Sequence, residues 1–342
     1  MCRDMKRADM VQVKEGECVS VIIPVYNVID CFEECMQSVL EQTYENIEIV
    51  LVNDGSNDGS EKLCDLYEKR DSRVRVLHQK NSGQAIARNI GVDISKGDYI
   101  AFVDSDDVLD KHYIEFLLEG MLETGADISV CAYEKFSKNY KTRVQKLNTN
   151  NYIFFETQEA LEELCYQKRI DCGPCSKLLK KELIKDIRFP ANIGYEDFAT
   201  IYKYIANAKK IVVLDNILYF YRQRETSTMH MKFSRKKLDR LPISDEILEF
   251  VKEKYPEIEE AAIARMFLSN LQVVMDMPLK REFQLEWRLV KKNIEYARKC
   301  VLTNKKVKRI IRIMAVCSYM GIVPLKILGV VYGLLINKIL KC

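Results

Sequence analysis

The sequence predicts an α/β protein, with a mostly parallel sheet flanked by helices and a helical C-terminal region. Two observations lead to this fold class. In the first 130 residues, short runs of β-branched residues alternate with segments of helical periodicity, a pattern typical of parallel βαβ units. From about residue 150 the alternation gives way to longer helical segments.

The elements of the first half follow in order. Four apolar runs are expected to be buried strands, at residues 19–25, 47–52, 73–77 and 99–103. Three segments between them have helical spacing and polar first residues, at 30–42, 60–70 and 83–95. Asp110 is expected to be the N-cap of the next helix. This alternation implies right-handed crossovers between the parallel strands, and it implies a ligand site beyond their carboxyl ends.

The second half is expected to be mostly helical. Helices are predicted at residues 157–167, 195–207, 235–254, 257–275 and 281–300. Two short strand-like runs, at 211–214 and 218–221, interrupt them. With 342 residues, of which 48% are hydrophobic, the chain can bury a sizeable core, which excludes disordered and mini-protein classes.

Charge is unevenly distributed along the chain. The net charge is +3, but the chain from residue 296 onward carries ten basic residues and no acidic one. The rest carries 43 bases against 50 acids. The near-neutral total therefore combines an acidic body with a basic tail.

Polar loops follow three of the predicted strands, at residues 24–27, 53–60 and 104–107, and all three are expected at one edge of the sheet. Asp104, Asp106 and Asp107 stand together in the last loop. Because like charges repel, such a cluster favours a bound divalent cation, although a solvated turn with a helix cap is also consistent with it. Asp54 is a candidate acceptor for a base or ribose.

In combination, these segments resemble the family 2 inverting glycosyltransferases of GT-A fold. The resemblance covers about residues 18–125 and rests on five ordered motifs. They are Val21-Ile22-Ile23-Pro24-Val25-Tyr26-Asn27, Gln42-Thr43-Tyr44, Asp54-Gly55-Ser56 followed by Asp58-Gly59-Ser60, Ala87-Arg88-Asn89 with Gly91, and Asp104-Ser105-Asp106-Asp107.

The resemblance implies a nucleotide-diphosphate-sugar donor, most often a UDP-sugar, and a divalent metal, Mn²⁺ or Mg²⁺. It assigns the uracil pocket to Pro24, Val25, Tyr26 and Asp54. It assigns further nucleotide-sugar contacts to Asn27, Arg88, Asp104 and Ser105. It places the metal on Asp106. Asp104 is a further candidate ligand, and His230 is either another ligand or a surface residue.

The second half is expected to supply the catalytic base and a lid. Glu196 and Asp197 resemble the family's base segment, with Asp197 as the base and Glu196 as its neighbour, although acids also favour a helix start. The segment after the second strand-like run is rich in phosphate-binding donors. A diphosphate lid and an ordinary exposed basic loop both fit it, and the lid candidates are Arg222, Arg224 and Ser227.

Cys172-Gly173-Pro174-Cys175 has the spacing of a thioredoxin-type redox site. A redox site of that kind follows a buried strand, whereas the six residues before Cys172 indicate a polar helix end. Cys172 and Cys175 are therefore expected to be small packing residues.

The tail contains two apolar runs, at 313–324 and 327–336, divided by Pro324 and Lys326. Neither reaches the roughly 18 residues of a spanning helix. A basic amphipathic helix or a shallow hairpin on a membrane surface is favoured, and a buried helix pair is the alternative. No nucleic-acid-binding pattern is present. Because residues 1–18 lack the apolar core of a signal peptide, a cytoplasmic location at the inner face of the membrane is expected.

These inferences predict transfer of a sugar from a UDP-sugar to a glycan acceptor, plausibly lipid-linked, in cell-surface polysaccharide synthesis. A non-catalytic nucleotide-sugar-binding protein and a nucleotidyltransferase are the alternatives. The expected organisation is an extension (1–18), a glycosyltransferase domain (19–230), a helical region (231–302) and a membrane-associating tail (303–342). Within the domain, 19–125 is expected to bind the nucleotide-sugar, and 126–230 is expected to bind the acceptor and carry the base.

Overall fold

The computed structural model describes residues 16–137, 140, 152–224 and 233–329. These residues form two compact units. The sheet unit comprises the described residues up to Thr157, Gly173–Ala191 and those from Lys203 to Arg224. The helical unit comprises Gln158–Cys172, Asn192–Tyr202 and the described residues from 233 onward.

The first half of the sheet unit confirms the predicted alternation. Its strands lie parallel in the order β3-β2-β1-β4, and they are β1 (Val19–Val25), β2 (Ile47–Asn53), β3 (Val74–His78) and β4 (Tyr99–Phe102). The helices between them are α1 (Ile29–Leu40), α2 (Ser60–Arg70) and α3 (Gln84–Ile94). Both faces of β1 are buried, as expected for a strand covered by helices on both sides.

Small residues bring α3 close to the sheet. A side-chain carbon added at Gly91 would lie 2.3 Å from the Cγ2 of Ile22 in β1. On the other face, α1 buries Phe32, Met36 and Val39 in the core.

The second half of the sheet mixes strand directions. It contains β5 (Val108–Leu109), β6 (Ile128–Phe136), β7 (Ile153–Glu156), β8 (Lys177–Lys180) and β9 (Lys210–Arg222). Strand β8 is antiparallel to both β4 and β6, and it joins the two halves of the sheet. The helices of this half are α4 (Tyr113–Thr124), α6 (Lys181–Ile184) and α7 (Ile201–Asn207), where α7 begins in the helical unit.

Two predictions for this half were wrong. The strand-like runs 211–214 and 218–221 are one strand, because β6 pairs with β9 along both of them. The polar residues between the two runs are accommodated by an irregularity in the register of this pairing. Asp110 is not the N-cap of α4, which is His112. Instead, Asp110 closes the preceding turn: its carbonyl accepts from the N–H of Tyr113 and its carboxylate accepts from the N–H of His112.

The helical unit is built around α9, which packs against α8 and α10. Its helices are α5 (Thr157–Tyr166), α8 (Arg240–Lys254), α9 (Glu259–Asp276), α10 (Gln284–Thr303) and α11 (Arg309–Cys317), and residues 322–329 are also helical. Within the described residues, no helix is both long and apolar enough to cross a membrane.

Candidate active site

Three loops leave the same edge of the sheet, as predicted. In the parallel register, Val25 at the end of β1 pairs with Asn53 at the end of β2. Ile22 of β1 pairs with Phe102 at the end of β4. The strands therefore deliver residues 26–28, 54–59 and 103–107 to a common edge, where parallel sheets bind ligands.

Asp54 organises the first part of this edge. It is buried, and its Oδ1 accepts hydrogen bonds from Gln79 Nε2 (2.6 Å) and the N–H of Ser82 (2.7 Å). Its Oδ2 accepts from the N–H of Gly83 at 2.8 Å. Asp54 thus ties the loop after β2 to the loop before α3, and its predicted contact with uracil stays a prediction.

The loop after β1 is held by the loop after β2. Asn27 has a φ of 49°, and its side-chain oxygen accepts from the N–H of Asn57 at 3.0 Å. Tyr26 is half-exposed and free of the core, which suits a ring that stacks on a base. Pro24 and Val25 are buried within β1. The carbonyl oxygen of Val25 accepts a hydrogen bond from the N–H of Asp54 and so contacts the loop after β2.

Arg88 and Asp104 meet at the centre of the edge. The Arg88 side chain is 3% exposed, and its Nη2 lies 2.8 Å from the Oδ1 of Asp104, which is 34% exposed. The guanidinium also lies 5.5 Å from the ring centre of Phe189. The Asn89 amide makes two hydrogen bonds to the backbone of Phe189, which fixes that ring. Asp104 is therefore a held carboxylate that still reaches solvent.

The carboxylate of Asp107 forms hydrogen bonds within the protein. It is fully buried, and it accepts hydrogen bonds from the Tyr219 hydroxyl (2.6 Å) and the N–H of Arg222 (2.7 Å). Burial raises the pKa of Asp107 well above its usual range, and the carboxylates of Asp104 and Asp106 add to the effect. Its role is to fix β9 against the loop after β4, and Ser105 beside it is buried as well.

Asp106 is more exposed than Asp107, although less exposed than Asp104. Its side chain is 16% exposed, and its Oδ2 lies 2.5 Å from the Nη2 of Arg224. Arg222 donates from Nε to the carbonyl of Asp106 at 2.7 Å and pairs with Glu34. Burial and the Asp104 carboxylate raise the pKa of Asp106, against the lowering effect of Arg224. Two of the predicted lid residues therefore already lie at the proposed metal carboxylate, whereas Ser227 and His230 lie outside the described residues.

The carboxylates at this edge are the candidate ligands for a divalent metal. Among the described residues, no three His, Cys, Asp or Glu side chains are arranged to hold an ion. Asp106 and Asp104 nevertheless form a partly exposed pair whose negative charges oppose one another. A magnesium-type ion is commonly held by one or two carboxylates, with substrate phosphates completing its shell. The pair fits that arrangement and does not fit an all-protein cage.

Glu196 and Asp197 belong to the helical unit. The helix predicted at 195–207 begins only at Ile201, and Tyr195 has a φ of 63°. This left-handed conformation is incompatible with a continuing helix. Asp197 is half-buried and its Oδ1 accepts from the N–H of Phe198 at 2.7 Å, whereas Glu196 is buried. The acidic pair therefore sits on a turn before the helix.

The turn is braced from α8 and the 3₁₀ turn before it. The N–H of Gly194 donates to Asp239 at 2.7 Å. The Arg240 guanidinium lies 3.9 Å from the ring centre of Tyr195. From α9, the guanidinium of Arg265 lies 4.1 Å from the ring centre of Phe198. These contacts fix the backbone on both sides of Asp197.

Sequence reasoning missed three supporting residues: Gln79, Phe189 and Tyr219. Tyr219 was placed only in a strand, yet its hydroxyl bonds Asp107 and accepts from the N–H of Asp104 at 3.2 Å. The alternation of β9 offered one signal, since Tyr219 and Tyr221 face the same side of the strand. Cys175 packs against the core as expected, and burial raises its thiol pKa well above the usual range.

The chain is similar to known glycosyltransferases. The sequence model of Glycosyl transferase family 2 matches residues 20–188. Streptococcus pneumoniae glycosyltransferase GlyG is 34% identical over 274 residues, which cover 75% of this chain and 85% of GlyG. GlyA of the same organism is 32% identical, over 80% of this chain and 41% of GlyA. The Bacillus subtilis minor teichoic acid biosynthesis protein GgaB is 33% identical, over 63% of this chain and 24% of GgaB.

The fold also matches solved structures. The crystal structure of S. aureus TarS in complex with UDP-GlcNAc aligns with a TM-score of 0.68 at 19% identity, over 91% of this chain and 89% of that one. A Pyrobaculum calidifontis mannosyltransferase in complex with GDP-Man and Mn²⁺ aligns at 0.55 and 13% identity, over 91% and 86%. The match to GlyG, with the family motifs at the edge of the sheet, shows that this chain belongs to glycosyl transferase family 2 and is a glycosyltransferase of GT-A fold.

Proposed function

We propose that this glycosyltransferase transfers a sugar from a UDP-sugar to a glycan acceptor, with inversion at the sugar carbon. The observation that carries the proposal is the meeting of Arg88, Arg222 and Arg224 with Asp104 and Asp106 at the ligand-binding edge of the sheet. Guanidinium groups bind phosphate oxygens bidentately. A metal-bound diphosphate needs guanidinium groups for its phosphate oxygens and carboxylates for its metal ion.

The donor half of the proposal rests on the loops of β1 and β2. Tyr26 offers an exposed ring, and Asp54 holds the backbone that would surround the base. The crystal structures of TarS in complex with UDP-GlcNAc and with UDP support uridine diphosphate as the carrier. Asn27, Ser105 and Pro24 would complete the pocket mainly through the backbone positions that they fix.

Asp106, assisted by Asp104, would hold Mn²⁺ or Mg²⁺, and the Mn²⁺ in the mannosyltransferase supports this choice. The ion would neutralise charge that develops on the departing diphosphate. Arg224 now occupies the Oδ2 of Asp106. When donor and metal bind, we expect this guanidinium to move from the carboxylate to the phosphates, so that the lid closes over the donor.

Asp197 is the proposed base, with Glu196 beside it. The acceptor oxygen forms a bond to the anomeric carbon while the bond from that carbon to the diphosphate breaks. The acceptor proton passes to the Asp197 carboxylate, and UDP leaves with the bonding electron pair. A positioned base typically contributes about 10² to 10⁴ in rate. The contacts that brace the turn around Asp197 would hold its carboxylate in a fixed position for that transfer.

The acceptor is proposed to be a lipid-linked glycan of cell-surface polysaccharide synthesis, which the teichoic acid relative supports. Such an acceptor lies at the inner face of the cell membrane. We therefore place the protein in the cytoplasm, peripherally associated with that face through its basic tail.

A donor panel tests the proposal. The full chain is incubated with several UDP-sugars and GDP-mannose, with Mn²⁺, Mg²⁺ or EDTA, and the release of nucleoside diphosphate is measured. We expect UDP release that depends on the metal and is lost in Asp106→Asn. The control Asp215→Asn changes an exposed carboxylate in β9 and should leave release unchanged. Release of pyrophosphate, or no turnover with any donor, would refute the proposal.

A further inference from the structure

The described part of the tail folds as a helical hairpin. Helix α11 leads through a 3₁₀ turn at Ser318–Met320 to the helical residues 322–329. The two arms lie side by side, because a side-chain carbon added at Gly329 would be 3.2 Å from the methyl group of Met314. Met314, Ala315 and Leu325 are buried. One face of the hairpin is therefore packed within the helical unit.

Lys326 fixes this face. Its Nζ donates to the carbonyls of Val274, Met275 and Met277 at 2.8 to 2.9 Å, at the end of α9. A cation suits a helix C-terminus, where the carbonyls are otherwise unpaired. Lys326 is thus a structural cap, and the hairpin is anchored to the protein.

The opposite face of the hairpin is apolar and exposed. We call it the hairpin surface, and its side chains are 45% to 66% exposed: Ile313, Val316, Tyr319, Met320, Val323 and Ile327. On each arm the spacing is that of one helical face, with 313 and 316 on the first and 323 and 327 on the second. At 100° per residue, these positions point away from the buried ones. Residues of this kind are normally withdrawn from water.

The chain segment that forms the hairpin surface carries basic residues and no acidic residue. No acidic residue follows Glu295 in the chain. Lys305, Lys308 and Arg309 are exposed where the first arm begins. The Arg298 guanidinium lies 3.9 Å from the ring centre of Tyr319 at the hairpin tip. An apolar face flanked by basic residues is typical of helices that lie in an anionic lipid interface.

We infer that the hairpin surface inserts in the headgroup region of an anionic lipid bilayer, with Lys305, Lys308 and Arg309 on the lipid phosphates. The inference rests on the proposed membrane association and names the surface responsible for it. A bilayer is favoured over an acidic protein because six exposed side chains present one hydroxyl group between them. Tyr319, whose ring is apolar and whose end is polar, suits the lipid boundary.

Sedimentation with vesicles tests the inference. The full chain is mixed with vesicles of phosphatidylcholine alone or with added phosphatidylglycerol. We expect binding to the mixed vesicles, and a loss of about tenfold or more in Val316→Glu/Met320→Glu. The matched control Leu66→Glu/Tyr133→Glu places the same two charges on exposed apolar positions of the sheet unit, and it should bind like wild type.

A second variant tests the cations. Lys305→Gln/Lys308→Gln/Arg309→Gln should weaken binding by about a hundredfold at low salt, since each basic residue contributes separately. UDP release in detergent should stay at the wild-type level in both variants, so a failed inference and a failed enzymatic proposal give different results. Equal vesicle binding by all variants would overturn the inference. So would loss of self-association or of binding to an acidic protein in Val316→Glu/Met320→Glu, without loss of vesicle binding.

Discussion

Two acidic segments carry the proposed chemistry, and they are held in different ways. In the sheet unit, Asp104, Asp106 and Asp107 follow a strand, and each carboxylate has a named partner. In the helical unit, Glu196 and Asp197 follow no strand and stand in a turn with a left-handed residue before them. The first segment is held through its carboxylates, and the turn of the second is held in addition by the backbone of Gly194 and the ring of Tyr195.

The difference separates binding from proton transfer. A carboxylate locked by Arg88, as that of Asp104 is, keeps its place when a ligand arrives, which suits a metal or a ribose. A proton acceptor needs a carboxylate on a backbone that is held in place. Strain at Tyr195, with a cost on the order of 1 kcal/mol or more, is offset by the contacts of Gly194 and Arg240. Variants of each segment should therefore fail in different measurements.

The largest expected effect is on Asp197. Asp197→Asn removes the proton acceptor and should lower turnover by about 10² to 10⁴, while the affinity for UDP stays within about twofold because the nucleotide loops are unchanged. Turnover is followed by transfer to acceptor at saturating donor, and affinity by titration calorimetry with UDP. Asp215→Asn is the control. Wild-type transfer by Asp197→Asn would remove Asp197 from the mechanism.

The same comparison explains which features the sequence could predict. The loops after β1, β2 and β4 were predicted because parallel register alone brings strand ends to one edge. Strand β8 was not predicted, because the four residues Lys177–Lys180 have an ordinary mixed composition and become a strand only by lying between β4 and β6.

In the site, too, the features that depend on contacts between distant residues were not predicted. The acidic pair at Glu196 was expected to begin a helix because acids favour helix starts. The left-handed Tyr195 and the supporting Arg240 depend on contacts 45 residues apart in the chain, which no local pattern encodes. Likewise, the hydroxyl of Tyr219 reaches Asp107 only through the pairing of β5 with β9.

In the sheet unit, Asp54 should matter for stability. Asp54→Asn turns an amide group toward the backbone donors of Ser82 or Gly83 and leaves at least one of them unpaired. We expect a loss of about 3 kcal/mol in the free energy of unfolding, measured by urea denaturation. Asp65→Asn, at a carboxylate that is half-exposed and paired with His78, should cost at most about 0.5 kcal/mol. Equal losses in the two variants would contradict the proposed role of Asp54.

In the helical unit, the backbone itself should be sensitive. A Cβ at Gly194 would lie 2.5 Å from the carbonyl oxygen of Lys236, which is backbone and cannot rotate away. Gly194→Ala should cost about 2 kcal/mol and lower turnover more than UDP affinity, since it displaces the base turn. Gly16→Ala meets nothing within 4 Å and is the control. A loss of UDP affinity without a loss of turnover would show that the turn serves the donor instead.

The smallest expected effect concerns an acidic side chain outside both segments. Burial, followed by the carboxylates of Glu115 and Glu123, raises the pKa of Glu119 in α4 from 4.5 to about 7. The folded state therefore holds this proton more tightly, and the associated stability is present below pH 4.5 and lost as the pH rises through 7.

The variant Glu119→Gln does not ionise, so it cannot lose this stability as the pH rises. After discounting for solvent screening, we expect the variant to be about 1 kcal/mol more stable than wild type at pH 8 and equal to it near pH 4.5. Urea midpoints across this range, with the exposed Glu253→Gln as control, measure the difference. Parallel profiles would mean that Glu119 is ionised in the folded protein as readily as in water.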